Sequence, residues 1–147
     1  LILVGTGPLE EKVRSKVADM GLIENVQFLG NRKDMNRIYQ AMDIFVFPSL
    51  FEGLGIVAIE AQAAGVPIVC SEGLPPETDI TPIYRKLMLS DGAEKWAEAA
   101  IEMAQSSKAH TNMQKYIIDA GFDMSATAKN MEKYYLEKEA QIREKNK

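Results

Sequence analysis

Two carboxylates that flank a glycine turn are the feature of this 147-residue sequence most suggestive of chemistry. Glu52 opens the turn Glu-Gly-Leu-Gly, and Glu60 follows eight residues later within the mostly apolar run 56–64. On a helix, the residues sharing a face with Glu60 are apolar, so we expect its carboxylate to lie largely out of water. A buried charge is costly unless it is paired or used. The two acids therefore predict a ligand site, and a core carboxylate bonded to a backbone amide is the alternative.

The glycine turn itself predicts an anion site. Gly53 and Gly55 would let a ligand approach the backbone closely, at the start of the helix. The amides that such a helix would present are those of Leu54, Gly55, Ile56 and Val57. No Lys, Arg or His lies between Arg37 and Arg85, whereas the same stretch holds six acids. The cations that a diphosphate needs would therefore come from elsewhere, and sequence upstream of this chain is the obvious source.

Apolar runs alternate with helical patterns along the chain and predict an α/β fold. Strands are expected at 1–4, 26–29, 44–47, 66–70 and 86–89, and helices at 8–20, 34–42, 56–64, 91–104, 110–119 and 125–143. This alternation predicts a doubly wound, Rossmann-like, three-layer arrangement with one parallel sheet. Ligands of such sheets bind beyond the carboxyl ends of the strands, so we expect loops 5–8, 30–34 and 49–55 to converge.

Composition narrows the function classes. A net charge of −4 argues against nonspecific nucleic-acid binding. The single cysteine, Cys70, lies in a predicted strand and excludes a disulfide framework within the chain. With one histidine, His110, and no Asp-X-Asp triplet, we expect no metal site. No membrane-spanning run or signal peptide is recognisable, which favours a cytoplasmic location. The sequence begins inside a predicted strand without an initiator Met, so we expect it to be a piece of a longer protein.

The run Gly-Thr-Gly-Pro at 5–8 matches the dinucleotide-binding fingerprint weakly. Gly5 and Gly7 occupy the first two glycine positions, but Glu10 stands at the third, where its charge would face a pyrophosphate. Asn31 and Arg32 follow the next strand, where an NADP enzyme would bind the 2′-phosphate. An NADP-binding domain is therefore one alternative, and a turn that packs a helix closely on a strand is another.

Three segments together resemble the donor-binding domain of family 4 glycosyltransferases, which are retaining enzymes of the GT-B fold. They are VGTGPLEEKV, NVQFLGNRKDM and AMDIFVFPSLFEGLGIVAIEAQAAGVPIVCSEG, and they cover most of residues 1–90. The specific part is the pair Glu52 and Glu60, with seven residues between them. Residues 71–100 look most like transferases of bacterial capsule and exopolysaccharide assembly.

The resemblance implies a role for each residue of the glycine turn. Glu60 would accept hydrogen bonds from the ribose hydroxyls of a nucleotide-sugar donor. Glu52, the candidate catalytic residue, would contact hydroxyls of the donor sugar. Backbone amides in 53–57 would hold the distal phosphate, and neither a metal nor another cofactor is implied. A carboxylate is a good acceptor for a diol, and a helix N-terminus stabilises a departing diphosphate.

Other roles implied by the resemblance fall on the two loops nearer the start of the chain. The loop from Asn31 through Arg32 to Lys33 would offer backbone to the base, and Gly5 and Gly7 would line the floor of the cleft. The Arg and Lys that neutralise the diphosphate in this family belong to a loop upstream of residue 1, and the N-terminal acceptor domain is absent. We therefore expect an isolated fragment of this length to be inactive.

The resulting interpretation is a partial C-terminal donor-binding domain over residues 1–147, with a core to about 124 and a C-terminal helix from about 125. The full-length enzyme would transfer a sugar, expected to come from a UDP-sugar, to a glycan or lipid-linked acceptor with retention. Its association with the inner face of the membrane and a homodimer through an exposed sheet edge are further expectations. The alternatives are a nucleotide-sugar 2-epimerase, which would want acid–base histidines, and a non-catalytic NADP- or nucleotide-binding domain.

Overall fold

The structure, a computed structural model, describes residues 1–106 and 109–145. Its strands are β1 (Ile2–Val4), β2 (Gln27–Gly30), β3 (Phe45–Phe47), β4 (Ile68–Ser71) and β5 (Tyr84–Leu87). Its α-helices are α1 (Glu10–Asp19), α2 (Met35–Tyr39), α3 (Ile56–Ala63), α4 (Gly92–Ser106), α5 (Gln114–Asp119) and α6 (Met124–Lys145). Short 3₁₀ turns lie at Ile23–Asn25, Pro76–Thr78 and Leu89–Asp91. The chain divides into two compact units, a first unit over Leu1–Ile38 and a second unit from Tyr39 onward.

The first unit is built on a parallel strand pair. Strand β1 pairs with β2, and α1 connects them, which gives a β-α-β motif. The Gly5 amide donates to the Gly30 carbonyl at 2.8 Å, which brings together the loops that follow the two strands. Helix α1 carries Glu10 and Glu11 in its first turn, where negative charge is favourable. The loops 5–8 and 30–34 therefore leave the same edge of this sheet.

The second unit has three layers around a parallel sheet in the order β3-β4-β5. All four residues of the central strand β4 are buried. Successive side chains of a strand point to opposite faces, so Ile68 and Cys70 pack with Ala58 of α3, whereas Val69 packs with Trp96 of α4. The α/β, Rossmann-like fold expected from the sequence is confirmed, as is the burial of Cys70, whose thiol pKa is raised by that burial.

The strands do not join into the one sheet expected from the sequence. Among the described residues they form two sheets, β1-β2 and β3-β4-β5, and every pair in both is parallel. The physical reason is hydrogen bonding, because the strands of one sheet must bond directly and β3 bonds only to β4 within the described chain. Loop 49–55 follows β3 of the second sheet. Its convergence with the loops of the first unit, and the division of the chain near residue 124, stay predictions.

Most elements begin within two residues of the expected position, and two of the differences have a visible cause. Strand β5 lies two residues earlier, at Tyr84–Leu87, since the Asp91 carboxylate accepts the Met88 amide at 2.9 Å and closes the turn after it. The helix expected from 110 begins only at Gln114. His110 has a left-handed backbone with φ of 63° and donates its amide to the carbonyl of Gly65 at 2.7 Å. A turn bound to the end of α3 therefore replaces the first turn of that helix.

The contact at Gly65 yields a stability test. Gly65 has φ of +73°, and a Cβ there would clash with the Thr111 carbonyl oxygen and lie 2.9 Å from the His110 carbonyl carbon. We expect Gly65→Ala to lower the free energy of unfolding by at least about 2 kcal/mol in urea denaturation, since backbone strain and overpacking add. Gly121→Ala is the matched control, because Gly121 has φ of +84° but open space around it. Gly121→Ala should lower the free energy of unfolding by about 1 kcal/mol. Equal losses of stability in the two variants would contradict the close contact at Gly65.

Candidate functional site

Helix α3 presents Glu60 to solvent. The helix packs on β4 through Ala58, and Ile59, Ala61 and Gln62 are buried as well. Ile56, Glu60 and Ala63 are exposed and share the opposite face, because residues spaced by three and four lie one above another on a helix. The expectation that Glu60 is buried is therefore wrong. Both faces of this helix are rich in apolar residues, so its contacts with β4 and α5 decide which face is covered.

A buried phenol holds the Glu60 carboxylate. The Tyr39 hydroxyl donates to Glu60 Oε2 at 3.1 Å and lies 3.3 Å from the Val57 carbonyl oxygen. Tyr39 is only 2% exposed. Burial, and to a lesser extent the Glu60 charge, raises the pKa of Tyr39 well above its usual value, so the phenol keeps its proton. Glu60 is thus anchored at one oxygen and open to solvent.

A hydrogen-bonded loop positions Glu52. The Ser49 hydroxyl donates to Glu52 Oε1 at 2.8 Å, and the Glu52 amide donates to the Gly73 carbonyl at 3.3 Å. The Ser71 hydroxyl, at the end of β4, donates to the Ser49 carbonyl. Gly73 has no room for a side chain, because a Cβ there would lie 2.5 Å from the Leu50 carbonyl oxygen. The loop therefore lies directly against the segment that follows β4.

The glycine turn leaves backbone donors free at the start of α3. Gly55 has φ of +71°, which favours glycine, and a Cβ at Gly53 would meet nothing within 4 Å. A shallow pocket of about 470 Å³ adjoins the turn and is lined by Phe47, Glu52, Leu54, Gly55, Ile56 and Val57. Within residues 1–106 and 109–145, no protein acceptor takes the amide protons of Leu54, Gly55, Ile56 or Val57. These amides can bind an anion, and the two nearby carboxylates can accept hydroxyl donors.

The remaining candidate residues lie in the first unit. Gly5 and Gly7 follow β1, and a side chain at either would meet nothing within 4 Å. Asn31 and Arg32 follow β2 and are exposed. The Arg32 guanidinium binds both oxygens of Asp34, at 2.8 and 2.7 Å, and lowers the pKa of that carboxyl to about 2. Because Arg32 already has an anionic partner, its side chain is a poor candidate for a 2′-phosphate.

The buried polar residue of α3 is Gln62, which the sequence analysis missed. Gln62 is 0% exposed and satisfies its whole amide. Its Nε2 donates to the carbonyls of Ala58 at 3.0 Å and Thr78 at 2.8 Å. Its Oε1 accepts from the amide and the hydroxyl of Thr81, at 3.1 and 2.8 Å. Spacing alone could not have found it, because both faces of α3 carry apolar residues and either could have been the buried one.

In the part of the chain that the structure describes, no three His, Cys, Asp or Glu side chains are grouped as a metal-binding cluster. The expectation that no metal is needed stays a prediction. None of the described helices combines the length and the apolar character that a bilayer crossing requires.

Comparison with known proteins identifies the family. A model of the family described as "Glycosyl transferases group 1" matches residues 1–106. The chain belongs to this family. The putative glycosyltransferase EpsF of Bacillus subtilis is 33% identical over 109 residues, which cover 74% of this chain and 28% of EpsF. A GDP-mannose-dependent monoacylated alpha-(1-6)-phosphatidylinositol monomannoside mannosyltransferase of Corynebacterium glutamicum is 37% identical over 113 residues, covering 70% of this chain and 29% of that protein.

The crystal structure of Anabaena Alr3699/HepE in complex with UDP is similar in fold. Its TM-score is 0.71 at 20% identity, and the match covers 92% of this chain and 40% of that chain. The resemblance to a GT-B glycosyltransferase domain is thereby confirmed, and the protein is related to enzymes. This glycosyltransferase chain spans less than a third of the length of EpsF and of the corynebacterial mannosyltransferase.

The contrast between Gln62 and Glu60 can be tested by denaturation. Gln62→Leu keeps a similar volume but leaves the Thr78 carbonyl and the Thr81 amide without their buried partner. We expect it to lower the free energy of unfolding by about 2 kcal/mol in urea. Glu60→Gln, two residues away on the exposed face, is the control and should change stability by less than about 0.5 kcal/mol. A larger loss for Glu60→Gln than for Gln62→Leu would contradict the orientation of α3.

Proposed function

We propose that this chain is the donor-binding part of a retaining glycosyltransferase. The full-length enzyme transfers a sugar from a nucleotide-diphosphate donor to a glycan or lipid-linked acceptor in polysaccharide biosynthesis. One observation carries the proposal: the free amides at the start of α3 lie, along the chain, between two hydroxyl-supported carboxylates, Glu52 and Glu60. The order of acid, amides and acid fits a ligand with hydroxyl groups on either side of a phosphate.

Each part of this site has a distinct task in the proposed reaction. The exposed Glu60 carboxylate accepts hydrogen bonds from the ribose diol and fixes the nucleoside. The amides from Leu54 to Val57 bind the distal phosphate, where negative charge grows as the bond to the sugar breaks. Glu52 accepts hydroxyls of the donor sugar and aligns its anomeric carbon. Binding energy at these groups stabilises the leaving diphosphate, and the proposal requires neither a metal nor another cofactor.

The donor nucleotide is proposed to carry uracil. Support comes from HepE, which was crystallised with UDP, although the corynebacterial relative is named as GDP-mannose-dependent. The resemblance of residues 71–100 to transferases of bacterial capsule and exopolysaccharide assembly supports a role in exopolysaccharide assembly. The acceptor, a cytoplasmic location and association with the inner membrane face are proposed for the full-length protein. A homodimer that forms through an exposed sheet edge is also a proposal.

The position of His110 counts against the epimerase alternative. Its amide binds the Gly65 carbonyl beyond the C-terminal end of α3, and the glycine turn lies at the other end of that helix. Eight helical residues span about 12 Å, so this side chain is poorly placed for acid–base chemistry at the turn. The transferase proposal needs no histidine there.

Nucleotide binding tests the role of Glu60. We expect titration calorimetry of the full-length protein to show binding of UDP or GDP and no comparable binding of NADP⁺. Glu60→Gln should weaken binding of the nucleoside diphosphate by more than about 1 kcal/mol, the scale of a hydrogen bond to a charged group. Glu98→Gln, an exposed acid on α4, is the matched control and should leave affinity unchanged. Binding of NADP⁺ alone, or an affinity indifferent to Glu60, would overturn the proposal.

Turnover tests the role of Glu52. The full-length protein is incubated with UDP-glucose, UDP-galactose and GDP-mannose, and release of the nucleoside diphosphate is measured. We expect Glu52→Gln to lower kcat/KM for the accepted donor at least about tenfold, because a charged hydrogen bond to the sugar is lost. Affinity for the free nucleoside diphosphate should stay within about twofold, since that ligand lacks the sugar. Unchanged turnover in Glu52→Gln would remove this residue from the reacting site.

A further inference from the structure

We propose that Tyr39 is a positioning residue that orients the Glu60 carboxylate for the ribose diol. The inference rests on the proposed function, because it assigns a task to the partner of a donor-binding acid. Its basis is the hydrogen bond of 3.1 Å from the Tyr39 hydroxyl to Glu60 Oε2. The two residues lie on different helices, because Tyr39 is the last residue of α2 and Glu60 lies on α3. The bond therefore connects two residues of the second unit that are far apart in sequence.

The phenol of Tyr39 is held firmly by its surroundings. Its side chain is 2% exposed, and its ring packs edge-on against Phe45 of β3 with centroids 5.9 Å apart. Phe45 in turn stacks on Phe47, with centroids 5.5 Å apart. A ring enclosed in this way has little freedom to change rotamer. The hydroxyl is accordingly a fixed donor aimed at the surface of α3.

Glu60 has no comparable support of its own. Its side chain is exposed, and among the described residues the Tyr39 hydroxyl is the only hydrogen-bond donor to its carboxylate. A free glutamate samples many rotamers, and ordering it on binding weakens affinity. The bond from Tyr39 selects one orientation before the ligand arrives. Glu60 is therefore preorganised for a ligand.

The direction of the bond leaves acceptor capacity for two hydroxyls. The single phenolic proton occupies one lone pair of Oε2, so Oε1 and the second lone pair of Oε2 remain free. Burial and the Glu60 charge raise the Tyr39 pKa, so the phenol stays a donor at neutral pH. The Val57 carbonyl at 3.3 Å is a second, weaker acceptor that keeps the hydroxyl over the first turn of α3. A ribose diol, with two adjacent donors, matches the lone pairs that remain.

The test compares UDP with 2′,3′-dideoxy-UDP in the full-length protein by titration calorimetry, with GDP and its dideoxy analogue run in parallel. We expect Tyr39→Phe to lower the affinity for the ribonucleotide about fivefold and the affinity for the dideoxy analogue by less than twofold. In the Glu60→Gln background, Tyr39→Phe should add less than a twofold loss, because the two residues act as a unit. The ratio of the two affinities within one variant is insensitive to a partly unfolded fraction.

Tyr84→Phe is the matched control. Tyr84 is a half-buried tyrosine of the same unit, and its hydroxyl hydrogen-bonds Thr78 Oγ1 at 2.8 Å instead of a carboxylate. It should leave both affinities and their ratio unchanged.

If Tyr39→Phe lost equal affinity for the ribonucleotide and for the dideoxy analogue, its role would be merely structural and the inference would be overturned. The inference would also be overturned if Tyr39→Phe kept the wild-type ribonucleotide affinity while Glu60→Gln lost affinity. That outcome would leave the proposed function standing. Failure of the wild type to bind UDP or GDP would overturn both.

Discussion

The packing of α3 on β4 is the constraint on which the second unit and its candidate site depend. Ala58 of the helix is 0% exposed and packs on β4, and its small side chain lets the helix lie close to this wholly buried strand. Because the helix is short, this contact sets the position of both of its ends. Its first turn lies beside the loop after β3, and its last turn meets Gly65, where no larger residue fits. Backbone amides and a solvent-facing carboxylate are therefore placed by core packing.

A second set of contacts ties the polar parts of the unit to that core. Gln62 connects α3 to the segment around Thr78 and Thr81, so the helix is bonded on its buried face as well as packed. The loop of Glu52 rests on Gly73, just after β4. The Gln62 hydrogen bonds are buried in low dielectric, where unmet partners are expensive and geometry is strict. The site is consequently built on rigid neighbours although its own residues are open to water.

Much of the fold could be predicted from local sequence, and the failures have a common cause. Strands β3 and β4 are continuous apolar runs, and Gly55 and Gly65 bracket α3, so these elements follow from composition and backbone freedom. The glycosyltransferase resemblance follows from the spacing of Glu52 and Glu60. The exposure of Glu60, the burial of Gln62 and the left-handed turn at His110 depend instead on which distant surface is in contact. Spacing within one segment does not contain that information.

The exposure of Glu60 determines how the site can bind a ligand. A buried glutamate would need its partners inside the protein and would have little capacity left for a ligand. An exposed glutamate with one fixed hydroxyl donor keeps its charge solvated until a ligand replaces the water, so desolvation is modest. Glu52 has the same support from Ser49, and in the described chain neither acid forms an ion pair. Two unneutralised carboxylates repel phosphate and attract hydroxyls. In the proposed complex the anion is therefore confined to the amides between them, and the order of groups in the ligand is set by charge as well as by shape.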